Sequence, residues 1–226
     1  MANLIITIDG PAASGKSTMA KLLAERIGAS FLDTGAMYRA VTLAAMQAGV
    51  DMSNEEELLG VLAANKFEFA VKEGKTAVFI NGVDFTEQIR DPKVTANARY
   101  VASAARMREK LVEMQRQFAA KEKRIVTEGR DQGTVAFPDA DIKFYLTADI
   151  NERARRRQAE LRAKSDKANL AQIRKAIEDR DESDRSRASG PMIPAKDGIV
   201  VDTTSLSIED VVEKLFGYVE KKCLKK

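Results

Sequence analysis

At 226 residues, 44% of them hydrophobic and 31% charged, the chain has a globular composition and enough length for one full core, and its net charge of +3 is too small to imply nucleic acid. No apolar run approaches the ~20 residues of a membrane span, and Met1-Ala2-Asn3 has no basic stretch, so we expect no signal peptide and a cytoplasmic protein. Histidine is absent and Cys223 is the single cysteine, which excludes internal disulfides, zinc sites and Ser-His or Cys-His nucleophiles, so any catalysis must run on Lys, Arg, carboxylates and a hard metal ion.

The run from Leu4 to Ile8 is apolar and β-branched and predicts a buried parallel strand; Met19, Leu22, Leu23 and Ile27 then recur at helical spacing. Between them, Gly10-Pro11-Ala12-Ala13-Ser14-Gly15-Lys16-Ser17-Thr18 fits G-x-x-x-x-G-K-[ST] in the strand, loop, helix context that this pattern requires. Gly10 and Gly15 let backbone N–H groups turn inward around an anion, Lys16 reaches the outer phosphates, and the Ser17 hydroxyl suits Mg2+. These nine positions predict a nucleoside triphosphate site.

Ala29-Ser30-Phe31-Leu32-Asp33 reads as a second strand, and Thr34-Gly35 opens a helix through Met37, Val41, Leu43, Ala44 and Met46 that Gly49 ends. Another helix is expected from Ser53, with Glu56 completing a capping box, through Leu58, Leu59 and Leu62. From 66 to 84 the segments Phe67, Phe69, Val71 and Val78-Phe79-Ile80, with turn signals at Glu73-Gly74-Lys75 and Asn81-Gly82, read as a small antiparallel insert. Phe67, Phe69 and Phe79 are expected to form that insert's core rather than a platform for a base. Pro92 opens one long helix to about Lys123, striped by Val94, Val101, Met107, Leu111, Met114 and Phe118. Strands at 124–128, 141–146 and 198–202 bring the core to five in βα alternation. Residues 152–187 are highly charged, with few large apolar side chains, and read as mobile. Ser207 and Asp210 then start an amphipathic helix through Val211, Val212, Leu215, Phe216 and Val219, and residues 221–226 form a basic tail.

Four segments carry a resemblance that runs end to end: Ile8-Asp9-Gly10-Pro11 with the phosphate loop; Leu32-Asp33-Thr34-Gly35-Ala36-Met37-Tyr38-Arg39; Glu128-Gly129-Arg130-Asp131-Gln132-Gly133-Thr134-Val135-Ala136-Phe137-Pro138; and Arg180-Asp181 followed by Asp184 and Arg187. The chain resembles the bacterial-type cytidylate kinases, nucleoside monophosphate kinases of the P-loop class. The resemblance implies an α/β fold: a P-loop kinase core with a five-stranded parallel sheet flanked by helices (1–36, 96–150 and 188–226), an antiparallel β insert that binds the monophosphate (37–95) and an Arg-rich helical lid (151–187). It implies transfer of the ATP γ-phosphoryl group to CMP or dCMP with Mg2+, by a monomer with no nucleic-acid or membrane partner.

Phosphoryl transfer needs positioning and fixed positive charge more than a general base, so the absence of histidine costs nothing. Lys16 is the first candidate. Arg153 and Arg157 are four apart and share a helix face, as a clamp over phosphates requires, and Arg180 resembles a further lid arginine. By resemblance Thr34, Arg39, Arg130 and Arg187 belong to the CMP site, the three arginines on its phosphate. Asp184 lies by resemblance at the sugar hydroxyls, while Asp131 and Arg108 read the base. Ser17 is the metal candidate, with Glu128 acting on the metal through water or else pairing with Arg130; for Asp131 the same pairing is the alternative. Asp33 either belongs to the site or supports the loop. Three positions depart from the family pattern. Arg99 replaces a small hydroxyl residue at the base, Ser183 a lid arginine, and Gln132 an apolar residue. Arg99 either pairs with Asp131 or points to solvent, and the stripe through Val94, Val101 and Arg108 favours solvent. A GTP switch lacks its N-K-x-D reader here, and the D-T-G-x-x-Y-R segment argues against a nucleic-acid-dependent ATPase.

Overall fold

The computed structural model describes residues 4–72, 75–162 and 169–224. Met1-Ala2-Asn3, the expected Glu73-Gly74 turn, part of the charged segment at 163–168 and the last two basic residues lie outside the described residues, as does the side chain of Cys223.

Five strands form a parallel sheet: β1 (Leu4–Asp9), β2 (Ser30–Asp33), β6 (Arg124–Gly129), β7 (Ile142–Thr147) and β8 (Ile199–Asp202), in the order β2-β6-β1-β7-β8. Central β1 is buried almost throughout, as expected of a strand covered on both faces. On one face lie α1 (Lys16–Ile27) and α8 (Ile208–Val219), whose Leu23, Val211 and Leu215 pack on Ile6, Ile8 and Phe144. On the other lie α2 (Thr34–Ala48), α3 (Glu55–Ala64) and α5 (Ala105–Ala120), whose Met37, Leu58, Met107 and Leu111 pack on Leu32 and Ile125. The chain leaves β1 toward β2 on one side while β7 and β8 lie on the other, so the crevice opens at the carboxyl end of β1, where the phosphate loop begins.

The insert is a three-stranded antiparallel sheet, β3 (Phe67–Lys72), β4 (Lys75–Ile80) and β5 (Val83–Asp84). Asn81 and Gly82 both take positive φ, as a tight hairpin turn requires. Phe67 and Phe69 pack with Val78 and Ile89 against Ala36 and Ala40 of α2, so these two aromatic rings are insert core. Thr76 fastens the insert to β2: its hydroxyl accepts the Asp33 N–H at 3.0 Å and faces the Phe31 carbonyl at 3.3 Å.

Two helix expectations need correction. The cap of α3 is Asn54, whose side chain accepts the Glu56 N–H at 3.0 Å; the Ser53 hydroxyl donates instead to Asp51. The expected single helix from Pro92 is two, α4 (Pro92–Ser103) and α5, broken at Ala104 by extended backbone. No glycine or proline marks this break. Tertiary bonds make it tenable: Arg108 Nη1 takes the freed Ala102 carbonyl at 3.2 Å, and Glu55 accepts the Arg106 N–H at 2.8 Å.

The charged segment forms α6 (Ile150–Arg162) and α7 (Leu170–Ser186), packed through Ala154, Ile173 and Ile177 with Ala12 and Ala13 against them. The capping box of Ser207 and Asp210 on α8 is present as expected. No helix among the described residues is long and apolar enough to cross a membrane.

Candidate active site

The phosphate loop, residues 10–15, joins β1 to the N-terminus of α1. Gly10 is required for two reasons: its φ is +145°, and a Cβ there would fall 2.0 Å from the Leu146 carbonyl oxygen. Lys16 is buried, its ammonium donating to the Pro11 carbonyl at 2.6 Å and toward Ser14 Oγ at 3.4 Å. Burial first, and then the field of Arg130, lower its pKa to about 7; Glu128 and Asp9 pull the other way, and Arg180 adds to the lowering.

Ser17 donates to Glu128 Oε1 at 2.7 Å. Burial, followed by the nearby Asp33 carboxylate, raises the Glu128 pKa, with Lys16, the Ser17 hydroxyl and Arg130 opposing. One hydroxyl and one carboxylate, side by side at the phosphate loop, is a donor set that fits Mg2+, which takes few protein ligands and keeps water. Among the described residues no cluster of three or more His, Cys, Asp or Glu offers an all-protein metal cage.

Opposite the loop, the end of β6 and the start of α2 face each other. Thr34 Oγ1 donates to the Glu128 carbonyl at 2.7 Å. Asp33 supports structure: it caps α2 by accepting the Ala36 N–H at 2.9 Å and pairs with Arg39 at 3.1 Å. Arg130 Nε donates to Asp184 at 2.8 Å, and Arg187 approaches the other oxygen of the same carboxylate at 3.7 Å. Burial opposes ionisation of Asp184, but Arg130, Arg187 and Arg180 together outweigh it and hold its pKa below the ordinary value.

Arg180 lies among like charges. Desolvation, then Arg130, bring its pKa down to about 10, with Arg39 and Arg157 adding to the effect and Asp184 opposing it. Lys16, Arg39, Arg130, Arg157 and Arg180 are thus one electropositive cluster at the loop. Among the described residues Arg39 Nε and Arg187 Nε are buried without a hydrogen-bond partner, as is Arg108 Nε.

Arg108 and Asp131 form a buried ion pair, with the Arg108 guanidinium 5.7 Å from the Tyr38 ring centre. Gly190, at φ +59°, closes over them so tightly that a Cβ would fall 2.2 Å from Asp131 Oδ2. Arg99 takes no part. It is exposed, lies over the Tyr100 ring at 4.9 Å and donates to the Tyr100 hydroxyl at 3.2 Å, in line with the solvent-facing alternative. Ser183 is exposed, and Gln132 is buried in a polar chain described below.

The two lid arginines expected to share a face have different surroundings. Arg157 is exposed and pairs with Glu160 at 2.9 Å. Arg153 is only 6% exposed and turns into the wall of the loop, donating to the Ala148 carbonyl at 3.0 Å and the Ala12 carbonyl at 3.1 Å, and pairing with Asp181. Through Nε and Nη1, Arg153 holds the loop.

Several contributors went unassigned in the sequence. Asp9 is buried, and burial pushes its carboxyl up to about 7 although the Gly133 and Gln132 amides and Lys16 counter it. Asp181 accepts the Ala12 N–H at 2.9 Å. Arg156 donates to the Thr203 carbonyl at 2.6 Å, linking α6 to the segment after β8. Only Asp9 had a local signal, a carboxylate closing an apolar strand before the loop glycine; the partners of the others lie far along the chain.

A family model described as cytidylate kinase matches residues 6–221. The chain is 45% identical over 214 residues to the cytidylate kinases of Bacillus thuringiensis strain Al Hakam and Bacillus cereus strain AH187, covering 95% of this chain and of each relative. An uncharacterized protein from Eubacterium ventriosum shares the fold, with a TM-score of 0.51 at 12% identity over 96% of this chain and 98% of that one. With the match spanning the phosphate loop, the segment from Asp33 to Arg39, the segment after β6 and the lid, the chain belongs to the cytidylate kinase family.

Proposed function

We propose that this kinase moves the γ-phosphoryl group of ATP onto CMP or dCMP, giving ADP and CDP or dCDP. The observation that carries the reading is two unlike groups at the ends of adjacent strands: the cations Lys16, Arg39, Arg130, Arg157 and Arg180 around the phosphate loop after β1, and after β6 a buried Arg108–Asp131 pair facing Tyr38. Phosphates suit the first end. The second offers one charged donor and one charged acceptor, the complement of a base edge that carries both.

An oxygen of the CMP phosphate attacks the γ-phosphorus, and the bond from that phosphorus to the bridging oxygen of ADP breaks; the attacking oxygen is already anionic, so no proton has to move. Arg39, Arg130 and Arg187 hold the CMP phosphate, Asp184 orients Arg130 and Arg187 and accepts from the sugar hydroxyls, Asp33 orients Arg39, and Thr34 lines the same side. Residues 10–18 cradle the ATP phosphates, while Lys16, Arg157 and Arg180 oppose charge on the moving group. Arg153 contributes through the loop it holds. Ser17 and Glu128 would hold Mg2+, which when bound neutralises phosphate charge. A monomer in the cytoplasm completes the proposal.

An ADP-release assay against a panel of nucleoside monophosphates tests it. CMP and dCMP are expected to drive ADP release well above the others; ADP release independent of any monophosphate would refute it.

A further inference from the structure

We infer that Asp9 is a positioning residue that ties the phosphate loop to the base-reading turn. Its carboxylate accepts the Gln132 N–H at Oδ1 and the Gly133 N–H at Oδ2, both at 2.8 Å, and the side chain is 4% exposed. The β1–β6 ladder ends where Asp9 pairs with Gly129. Beyond that register the two chains diverge, one into Gly10 and the phosphate loop, the other through Arg130 and Asp131. The strand hydrogen bonds stop where the two substrate half-sites begin, and the Asp9 side chain supplies the next connection across the gap.

The turn it grips is compact. Val135 and Ala136 both donate to the Asp131 carbonyl, at 2.8 and 3.2 Å, and a Cβ on Gly133 would fall 2.9 Å from Thr7 Oγ1. Gln132 and Gly133 follow Asp131 directly, so their amides set where the Asp131 carboxylate points. A carboxylate suits this place because both of its oxygens accept. An asparagine of equal size would present one NH2 group to an N–H donor, and the turn would have to move to relieve it. Asp131 itself and Lys16 are the charged groups facing Asp9.

This inference rests on the proposed assignment of Asp131 to the base, and the test separates the two. Asp9→Asn is expected to raise KM for CMP about tenfold and to shrink the CMP-to-UMP ratio of kcat/KM, beyond any effect of lost stability. Val201→Ala, a core position within β8, serves as the control for destabilisation and is expected to leave KM for CMP and the ratio alone. If Asp131→Asn shrinks the ratio while folded Asp9→Asn changes neither KM for CMP nor the ratio, the Asp9 tie is wrong and the base assignment stands. If the unmodified protein uses CMP and UMP equally, the base assignment fails, and the tenfold rise in KM for CMP alone decides for or against Asp9. Should Asp9→Asn not fold, amide hydrogen exchange in the unmodified protein takes its place: slow exchange at Gln132 and Gly133 is expected, and exchange as fast as at exposed loop amides overturns the tie.

Discussion

Arg153 and Asp181, 28 residues apart on two helices, grip both backbone polar groups of Ala12: Asp181 accepts its N–H at 2.9 Å and Arg153 donates to its carbonyl at 3.1 Å. The pair is almost wholly buried, with side-chain exposures of 7% and 1%. Breaking such a pair leaves one uncompensated buried charge, whereas replacing both partners by apolar groups removes the cost. Asp181→Ala is therefore expected to lose about 3–5 kcal/mol in urea denaturation, and Arg153→Met with Asp181→Leu to recover most of that. Affinity separates from stability here. The double variant still lacks an acceptor for the Ala12 amide, so its KM for ATP should remain raised about tenfold. A double variant with normal KM would show that the grip on Ala12 is structural only.

Lys16 carries three predictions, one from its charge in the transition state and two from its lowered pKa. Lys16→Ala should lower kcat by a factor on the order of 10² to 10³ in a folded protein, the usual loss of one charged donor to the transition state. Its pKa falls from the ordinary 10.5 to about 7 on folding. Between those values the unfolded chain binds a proton that the folded chain does not, so this group's contribution to stability rises with pH across that window and is least favourable below it. Lys16→Met should thus gain stability over the unmodified protein at pH 6, with the gap narrowing toward pH 10. Bound phosphates favour the ammonium form. Calorimetry at pH 8 in two buffers of different ionisation enthalpy should then show proton uptake on ATP binding, absent in Lys16→Met.

The five core strands and the phosphate loop were legible because each is a local pattern: apolar β-branched runs, glycines at fixed spacing, helical stripes after them. The break at Ala104 was not, since Ala102, Ser103 and Ala104 are ordinary helix residues and the bonds that support the break come from Arg108 and from Glu55 on another helix. The packing of the charged segment was not legible either: alanines on the loop, Ala12 and Ala13, complete a small core with Ile173 and Ile177, and partners so far apart in the chain leave no local pattern. Spacing puts Arg153 and Arg157 on one helix face; that Arg153 is buried and paired with the distant Asp181 cannot be read from spacing.

Gln132 departs from an apolar family pattern, yet it is buried and satisfied: it accepts from the Thr127 hydroxyl at 2.9 Å, and its amide donates to Gln115 at 3.2 Å. Gln115 Nε2 has no partner among the described residues, so the chain is already one bond short. Gln132→Leu alone would strand Gln115 and Thr127 and is expected to cost about 1–3 kcal/mol. Gln132→Leu with Gln115→Leu should lose less than the single variant, since both amides leave together. Urea denaturation of the two proteins decides, and equal losses would sink the pairing.

Base choice turns on Arg108 and Asp131. Cytosine presents an amino donor beside a ring acceptor, and uracil an oxygen acceptor beside a ring N–H, so a fixed carboxylate favours cytosine. A buried polar site rejects a mismatched partner strongly because its own groups are left unpaired. CMP should exceed UMP in kcat/KM by a factor on the order of 10² or more, and Asp131→Asn should shrink that ratio mainly by harming CMP. The geometry adds a sharper expectation for Arg99. Its guanidinium lies over Tyr100 at the surface and makes no contact with Asp131, so Arg99→Ser should leave the CMP-to-UMP ratio within about twofold, as surface changes away from a site usually do. A large change in that ratio would mean that Arg99 swings onto the base when substrate binds, and that discrimination depends on three side chains instead of two.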